Sequence, residues 1–280
     1  MDKLHFTKME GTGNDYIYID CLNCEMPQLS APEITRLCDR HFGIGADGVV
    51  FILPSETADF RMRMFNVNGT EAEMCGNASR SIGVYLYNRG KTEKTNIKLE
   101  TKGGIKDLFL NIENNLATSV CVDMGIPSLT PAHIPVISDK EKAINDTILI
   151  DGRTLYMSCV SMGNPHAVFF VSEITDEHVL TWGPQIETHP LFPKHTNVEF
   201  VQIISKTEMR MRVWERGTGE TLACGTGACA ALVAASLNGL SDDKATVHLL
   251  GGDLKVEWRD DDHVYQTGPA KIVFDGTFIF

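Results

Sequence analysis

Two cysteines share a local setting that could carry chemistry. Cys75 and Cys224 each precede a glycine, and a helical segment begins there. A thiol at a helix N-terminus faces the positive end of the backbone dipole, which is expected to lower its pKa and favour thiolate. The same placement in two parts of the chain suggests two thiols facing each other across a pseudo-twofold axis. Such a pair suits inversion of a stereocentre that bears an acidic hydrogen. A thiolate removes the proton from one face and a thiol returns one to the other, so each ends in the state the reverse reaction needs. The helix N-termini would offer N–H donors to a substrate carboxylate and its enolate-like intermediate. Gly76-Asn77 and Gly225-Thr226 suit that task, because Gly lets a ligand approach the backbone. On these residues alone, two structural cysteines inherited from one ancestor remain an alternative.

The elements that must position these thiols repeat. Met62-Arg-Met-Phe65 matches Met211-Arg-Val-Trp214, Glu71 matches Glu220, and Cys75-Gly76 matches Cys224-Gly225, all at an offset of 149. Gly13-Asn14 matches Gly163-Asn164 at 150, and Gly103-Gly104 matches Gly251-Gly252 at 148. Matches in one order with so little drift indicate a duplicated domain rather than a solenoid, whose period would be far shorter. Arg61–Phe65 and Arg210–Trp214 alternate polar and apolar residues, the period of a half-buried strand. A glycine-bearing loop, Cys-Gly and a helix come next in each half. Ala78, Ile82, Tyr85 and Leu86 line one helical face, and Gly90 stops that helix. Ala228–Leu237 is apolar nearly all round, predicting a buried helix inside a curved sheet, stopped at Gly239. The Gly-Gly pairs sit between alternating runs and predict hairpins. Ser128–Pro135 has the composition of a linker or of the start of the second domain.

Composition bounds the partners. The chain has 280 residues, 43% hydrophobic and 22% charged, with a net charge of −12. That length suits two domains with cores that need neither disulfide nor metal. The acidic balance, without a Lys/Arg cluster, disfavours nucleic acid. No apolar run approaches a membrane span or a signal peptide, so a soluble, cytoplasmic protein without membrane association is expected. The eight cysteines should then be reduced. Cys21-Leu-Asn-Cys24 has a metal-site spacing but lacks a second pair to complete four ligands, and a solvent-side turn is the plainer account. Glycine-rich turns before helices can also cradle phosphate, but no P-loop or strand–GxGxxG–helix occurs. A redox protein closing a Cys75–Cys224 disulfide is a further alternative.

Gly11-Thr-Gly-Asn-Asp15, Gly43-Ile-Gly-Ala-Asp-Gly48, Phe65–Asn77, Gly163-Asn-Pro-His166, Trp214–Cys229 and Thr267-Gly-Pro-Ala270 stand in an order that resembles diaminopimelate epimerase across nearly the whole chain. The resemblance implies an isomerase with no cofactor, neither pyridoxal phosphate nor metal. It implies interconversion of LL- and meso-diaminopimelate, a small-molecule substrate, on the path to lysine and peptidoglycan. Its fold is α/β (α+β): two pseudo-symmetric domains, each a strongly curved, mainly antiparallel sheet around a central helix, with the last strand returning to the first domain. On that pattern the N-terminal domain is 1–120 plus 269–280, and the C-terminal domain is 121–268. Cys75 and Cys224 match the acid/base thiols, and His166 and Glu215 match residues supporting them. Asn14, Gly76, Asn77, Gly225 and Thr226 match contacts around the reacting end of the amino acid. Asn66, Asn164, Asn197, Glu215 and Arg216 match the groups that hold the distal end, chemistry suited to a carboxylate and an ammonium. A homodimer is likewise implied. Asn68 stands where the family usually has Asp, Ala78 where Gly follows Cys-Gly-Asn, and Gly48 where some members carry a polar contact. A racemase of histidine, proline or hydroxyproline on the same fold is the nearest alternative. Arg216 and the three asparagines argue against it, because they suit a second charged end.

Overall fold

The computed structural model describes residues 3–280. The chain divides into two units, one running to Val122 and resuming at Thr267–Phe280, the other spanning Asp123–Gln266. In the first unit the strands are β1 (Lys3–Gly11), β2 (Asn14–Asp20), β3 (Gly48–Leu53), β4 (Phe60–Asn66), β5 (Glu71–Ala72), β6 (Asn96–Thr101), β7 (Gly104–Glu113) and β8 (Leu116–Gly125). Two helices accompany them, α1 (Ala31–Cys38) and α2 (Gly76–Asn88). β1 and β2 are antiparallel, β2 and β3 parallel, and β3 and β4 antiparallel. β4 pairs antiparallel with β5 and parallel with β6, which returns antiparallel to β7.

β3 reads Gly-Val-Val-Phe-Ile-Leu and is buried on both faces, the pattern of a strand covered on two sides. Val49 and Phe51 join Ile17, Ile34 and Leu37 in a core with α1. On the other side α2 packs against β1 and β7. Its Ala78, Ile82 and Leu86 are buried as the spacing predicts, but so are its polar Asn77, Ser79, Arg80 and Ser81. The helix is therefore enclosed rather than half-exposed.

The second unit repeats this plan. Its strands are β9 (Asp146–Ile150), β10 (Arg153–Ser161), β11 (Pro165–Phe170), β12 (Asn197–Ser205), β13 (Glu208–Glu215), β14 (Gly219–Thr221), β15 (Lys244–Leu249) and β16 (Gly252–Trp258). Its α-helices are α3 (Gly183–Glu187) and α4 (Gly225–Leu237), and β17 (Val264–Pro269) carries the chain past the unit boundary. β10 through β16 pair in the order and senses of β1 through β7, with the parallel pairs β11–β12 and β13–β15 in the matching places. The outer position also repeats: β9 lies antiparallel to β10, and the last strand of the chain, β18 (Lys271–Ile279), lies antiparallel to β1 in the first unit.

α4 packs against β10, β11, β12, β13, β15 and β16, so the sheet curves around it. That explains a helix without a polar face: Ala228 to Ala235 are all fully buried. Gly90 and Gly239 follow the two helices with φ of 63° and 67°, the left-handed conformation that ends a helix at little cost to Gly. Among the described residues no helix is long and apolar enough to cross a membrane.

Candidate active site

Each cysteine is the N-cap of its helix, Cys75 for α2 (φ −142°) and Cys224 for α4 (φ −113°). In both units a short hairpin delivers the chain to that cap, and one ion pair braces it. Arg63 Nε lies 2.8 Å from Glu71 Oε1, and Arg212 Nε lies 2.7 Å from Glu220 Oε1. In each pair Nη2 makes the second leg to Oε2, at 3.1 and 3.2 Å. These bidentate forks tie β4 to β5 and β13 to β14 at twin positions.

Around Cys75 the contacts are polar and neutral. Its thiol donates to Asn14 Oδ1 (3.6 Å), and the Tyr16 hydroxyl donates to its Sγ (3.8 Å). Asn77 Nδ2 donates to the same Asn14 oxygen (3.1 Å), and Arg80 Nη2 donates to Asn77 Oδ1 (2.7 Å). Arg80 also reaches Thr12 Oγ1 and the Pro269 carbonyl, which is how a fully buried guanidinium is satisfied. Asn14 is held in turn by Asp47 Oδ2 (2.7 Å). Arg40 bridges Asp47 and Asp15, and Lys8 lies 2.6 Å from Asp15. Burial opposes ionisation of Asp15, yet Arg40 and Lys8 hold its carboxyl below the ordinary carboxylate range.

Around Cys224 the groups are ionisable. Its Sγ accepts from the Gly227 N–H (3.4 Å) and lies 3.5 Å from Thr226 Oγ1. Asn164 Nδ2 donates to Thr226 Oγ1 (3.2 Å), the twin of the Asn77–Asn14 contact. His166, fully buried, sets one ring nitrogen 3.1 Å from Asn164 Oδ1 and the other 2.7 Å from Glu199 Oε1. Glu199 is equally buried, and its Oε2 has no hydrogen-bond partner. Sequence reasoning missed Glu199. Its signal was a single carboxylate within Asn197-Val-Glu-Phe-Val201, a strand otherwise rich in apolar residues.

The remaining residues expected to hold substrate divide between exposed and engaged. Asn197 donates to the Pro165 carbonyl (2.8 Å) and accepts from the Arg216 N–H (2.9 Å), so its amide fixes the turn that carries Arg216. Arg216 is exposed, with Nη1 on the Lys194 carbonyl. Glu215 accepts from Thr221 Oγ1, and Asn66 Nδ2 donates to Thr70 Oγ1 (3.1 Å). Asn68 accepts twice from Thr70, so the Asp-to-Asn departure lies in a turn. The Ala78 departure also has a local cause. A Cβ at Gly227, the twin of Ala78, would stand 2.7 Å from Glu199 Oε1, whereas the twin of Glu199 in the first unit is the uncharged Val50.

The expectation of lowered thiol pKa values is overturned. Burial pushes the Cys75 thiol up, and the helix N–H groups, Tyr16 and Arg80 offset it only in part. Burial pushes Cys224 well above the ordinary thiol range, and the charges of Glu215 and Glu199 add to it. In both cases desolvation of a thiolate outweighs the helix terminus.

Among the described residues, one group of His, Cys and carboxylate atoms comes near metal-binding proximity: His166, Glu199 and Cys224, within 4.8 Å of one another. The 2.7 Å between His166 Nδ1 and Glu199 Oε1 is a hydrogen bond. Two ligands on one zinc-like ion at about 2.0–2.2 Å each would stand roughly 3.4 Å apart. Cys21 is buried and Cys24 exposed, and among the described residues they gather no third ligand.

Comparison with known proteins identifies the family. The diaminopimelate epimerase family matches residues 6–130 and 158–273. Diaminopimelate epimerase from Acetivibrio thermocellus is 56% identical over 274 residues, covering 98% of each chain. Among solved structures, a phenazine biosynthesis protein of the PhzF family from Bacillus anthracis superposes with a TM-score of 0.70 at 18% identity, covering 100% of each chain. A hydroxyproline epimerase from Agrobacterium vitis does so with a TM-score of 0.70 at 15% identity, covering 98% of this chain and 92% of that one. The latter two share the fold. The match of the family to both halves, and the near-full-length identity to its curated relatives, show that this chain belongs to the diaminopimelate epimerase family.

Proposed function

We propose that this protein interconverts LL- and meso-diaminopimelate by proton transfer at the α carbon, a step toward lysine and peptidoglycan. The observation that carries the reading is the twin placement of Cys75 and Cys224 as helix N-caps, in a chain of this family. One thiolate takes the α-proton and the other thiol delivers a proton to the opposite face. Atoms and charge then balance without oxidant, metal or organic cofactor. Burial holds both thiols as neutral acids, so one must lose its proton before it can act. His166, buried in the Cys224 cluster, and Glu215 serve that proton transfer.

The N-termini of α2 and α4 present N–H groups at Gly76-Asn77 and Gly225-Thr226 to the substrate carboxylate and to charge that develops on it. Asn14 completes the contacts around the reacting end. Arg216 and Glu215, with Asn66, Asn164 and Asn197, discriminate the distal ammonium and carboxylate. The protein works in the cytoplasm and as a homodimer.

The test is proton exchange. Reduced, chelator-treated protein is incubated with LL-diaminopimelate in D2O, and the α-proton is followed by NMR. Deuterium incorporation with loss of the LL signal is expected. A folded, reduced sample without exchange would overturn the reading, and exchange of proline, hydroxyproline or histidine instead would reassign the substrate.

A further inference from the structure

The two halves offer a residue that no motif marks. The matched pair Gly13-Asn14 and Gly163-Asn164 sets Tyr16 at the position of His166, each two residues beyond the asparagine. Both open a strand that runs parallel to its neighbour, β2 beside β3 and β11 beside β12. His166 lies with Glu199 in the cluster containing Cys224. Tyr16 lies beside Cys75, its hydroxyl 3.8 Å from Sγ. Its ring is seated by Gly48, where a Cβ would stand 2.9 Å from Tyr16 Cε1 and 2.3 Å from the Phe65 carbonyl. The twin of Gly48 is Asn197, so a position that carries a side chain in one half is closed to one in the other by the Phe65 carbonyl and the tyrosine ring.

We propose that Tyr16 is a positioning residue for Cys75: its hydroxyl donates to Sγ and stabilises the thiolate once the proton has left. This inference rests on the reading of Cys75 as an acid/base thiol. A hydrogen bond to the charged form favours that form. The Tyr16 hydroxyl is suited to stay a donor, because burial and the nearby Cys75 raise its own pKa well above the ordinary phenol range. The other titratable or charged groups facing this cluster include Asp15 and Tyr18 on β2, Arg80 on α2 and Asp47 ahead of β3. Arg80 donates to Asn77 and Thr12, and the Tyr16 hydroxyl is a side-chain donor aimed at the sulfur.

The experiment reads each thiol separately. Iodoacetamide labelling of Cys75 and Cys224 is followed by peptide mass spectrometry from pH 7 to pH 11 in the intact protein. Tyr16→Phe should raise the labelling midpoint of Cys75 by about half to one pH unit and leave Cys224 unmoved, as loss of one donor to a thiolate predicts. kcat should fall several-fold, with KM little changed. Replacing Tyr16 with 3-fluorotyrosine, whose phenol is a stronger donor in the same shape, should move the Cys75 midpoint down. This arm decides the matter if Tyr16→Phe does not fold. An unmoved Cys75 midpoint, or equal movement of both thiols, would overturn the proposal. If Cys75→Ser retained epimerisation, the reading of Cys75 would fail instead, and the labelling result would still stand.

Discussion

The surroundings of Cys75 and Cys224 differ more than the frames that hold them. Strand order, pairing sense, N-cap placement and the Arg–Glu fork repeat between the units. The side chains beyond that frame do not. Cys224 shares its buried site with an imidazole and a carboxylate, whereas Cys75 has a phenol, two amides and a distant guanidinium. Duplication supplied two similar places for a thiol, and divergence at positions 16/166, 48/197 and 50/199 gave the two places unlike electrostatics. A reaction that uses one group as base and the other as acid gains from that inequality, since unlike environments push paired titrations apart.

The largest effect should come from removing either thiol. Cys75→Ser and Cys224→Ser should each lower kcat by roughly a thousandfold or more, the scale of general acid–base catalysis. Steady-state epimerisation assays check this, and a variant keeping a tenth of the activity would show that the halves are not jointly required. Next, Gly227→Ala should destabilise the protein by about 1–3 kcal/mol, because its Cβ would press on Glu199 Oε1. The opposite change at the twin site, Ala78→Gly, should cost about 1 kcal/mol or less. Denaturant melts compare the two, and Glu199→Ala should relieve the Gly227→Ala penalty if the contact is its cause.

Glu199→Gln tests the electrostatic half of the comparison. Removing that charge should lower the alkylation midpoint of Cys224 by about one pH unit and leave Cys75 in place. Equal movement of both would erase the electrostatic distinction between the two thiols. The buried thiols as a group predict a broader titration. Burial raises Cys38 to about 11 and Cys21 to about 12 from an ordinary value of 9.0, and raises Cys75, Cys159 and Cys224 as well. The unfolded chain releases these protons first. Their contribution is therefore whole below about pH 9 and is lost as pH rises toward the folded-state values. Urea melts should show stability falling between pH 9 and pH 11, and a flat profile there would contradict the burial argument.

The smallest effect belongs to the repeated forks. Arg212→Ala should cost more than Arg63→Ala, both within about 1 kcal/mol of wild type, because partly exposed pairs are screened. Arg212 is the less exposed of the two and also reaches Asp176. Reversal of that order in thermal melts would mean that the second half does not depend more on its brace.

Much of this was legible in the sequence. The 149-residue offset predicts twin strand–loop–Cys-Gly–helix segments, and Gly90 and Gly239 do end the helices. The nearly all-apolar Ala228–Leu237 predicts an enclosed helix, and it is enclosed through Ala235, with Leu237 exposed at its C-terminal end. The polar residues of α2 mislead, because Arg80 is satisfied by Asn77, Thr12 and a carbonyl near the far end of the chain, which periodicity cannot anticipate. Glu199 was invisible because its partner comes from a parallel neighbouring strand 33 positions earlier. Tyr16 was invisible because phenol and imidazole do not look like a repeat. The sign of the thiol shifts was missed because a helix terminus can be read from sequence, while the desolvation opposing it depends on tertiary burial.

The return of β18 to β1 has a consequence for how the molecule is made. Lys3 is in register with Ile279, so β1 waits for a strand made long after it. The second unit is one uninterrupted stretch, all of it synthesised ahead of β18. The first unit begins synthesis earlier and closes later, with the edge of β1 uncovered until residue 279 emerges.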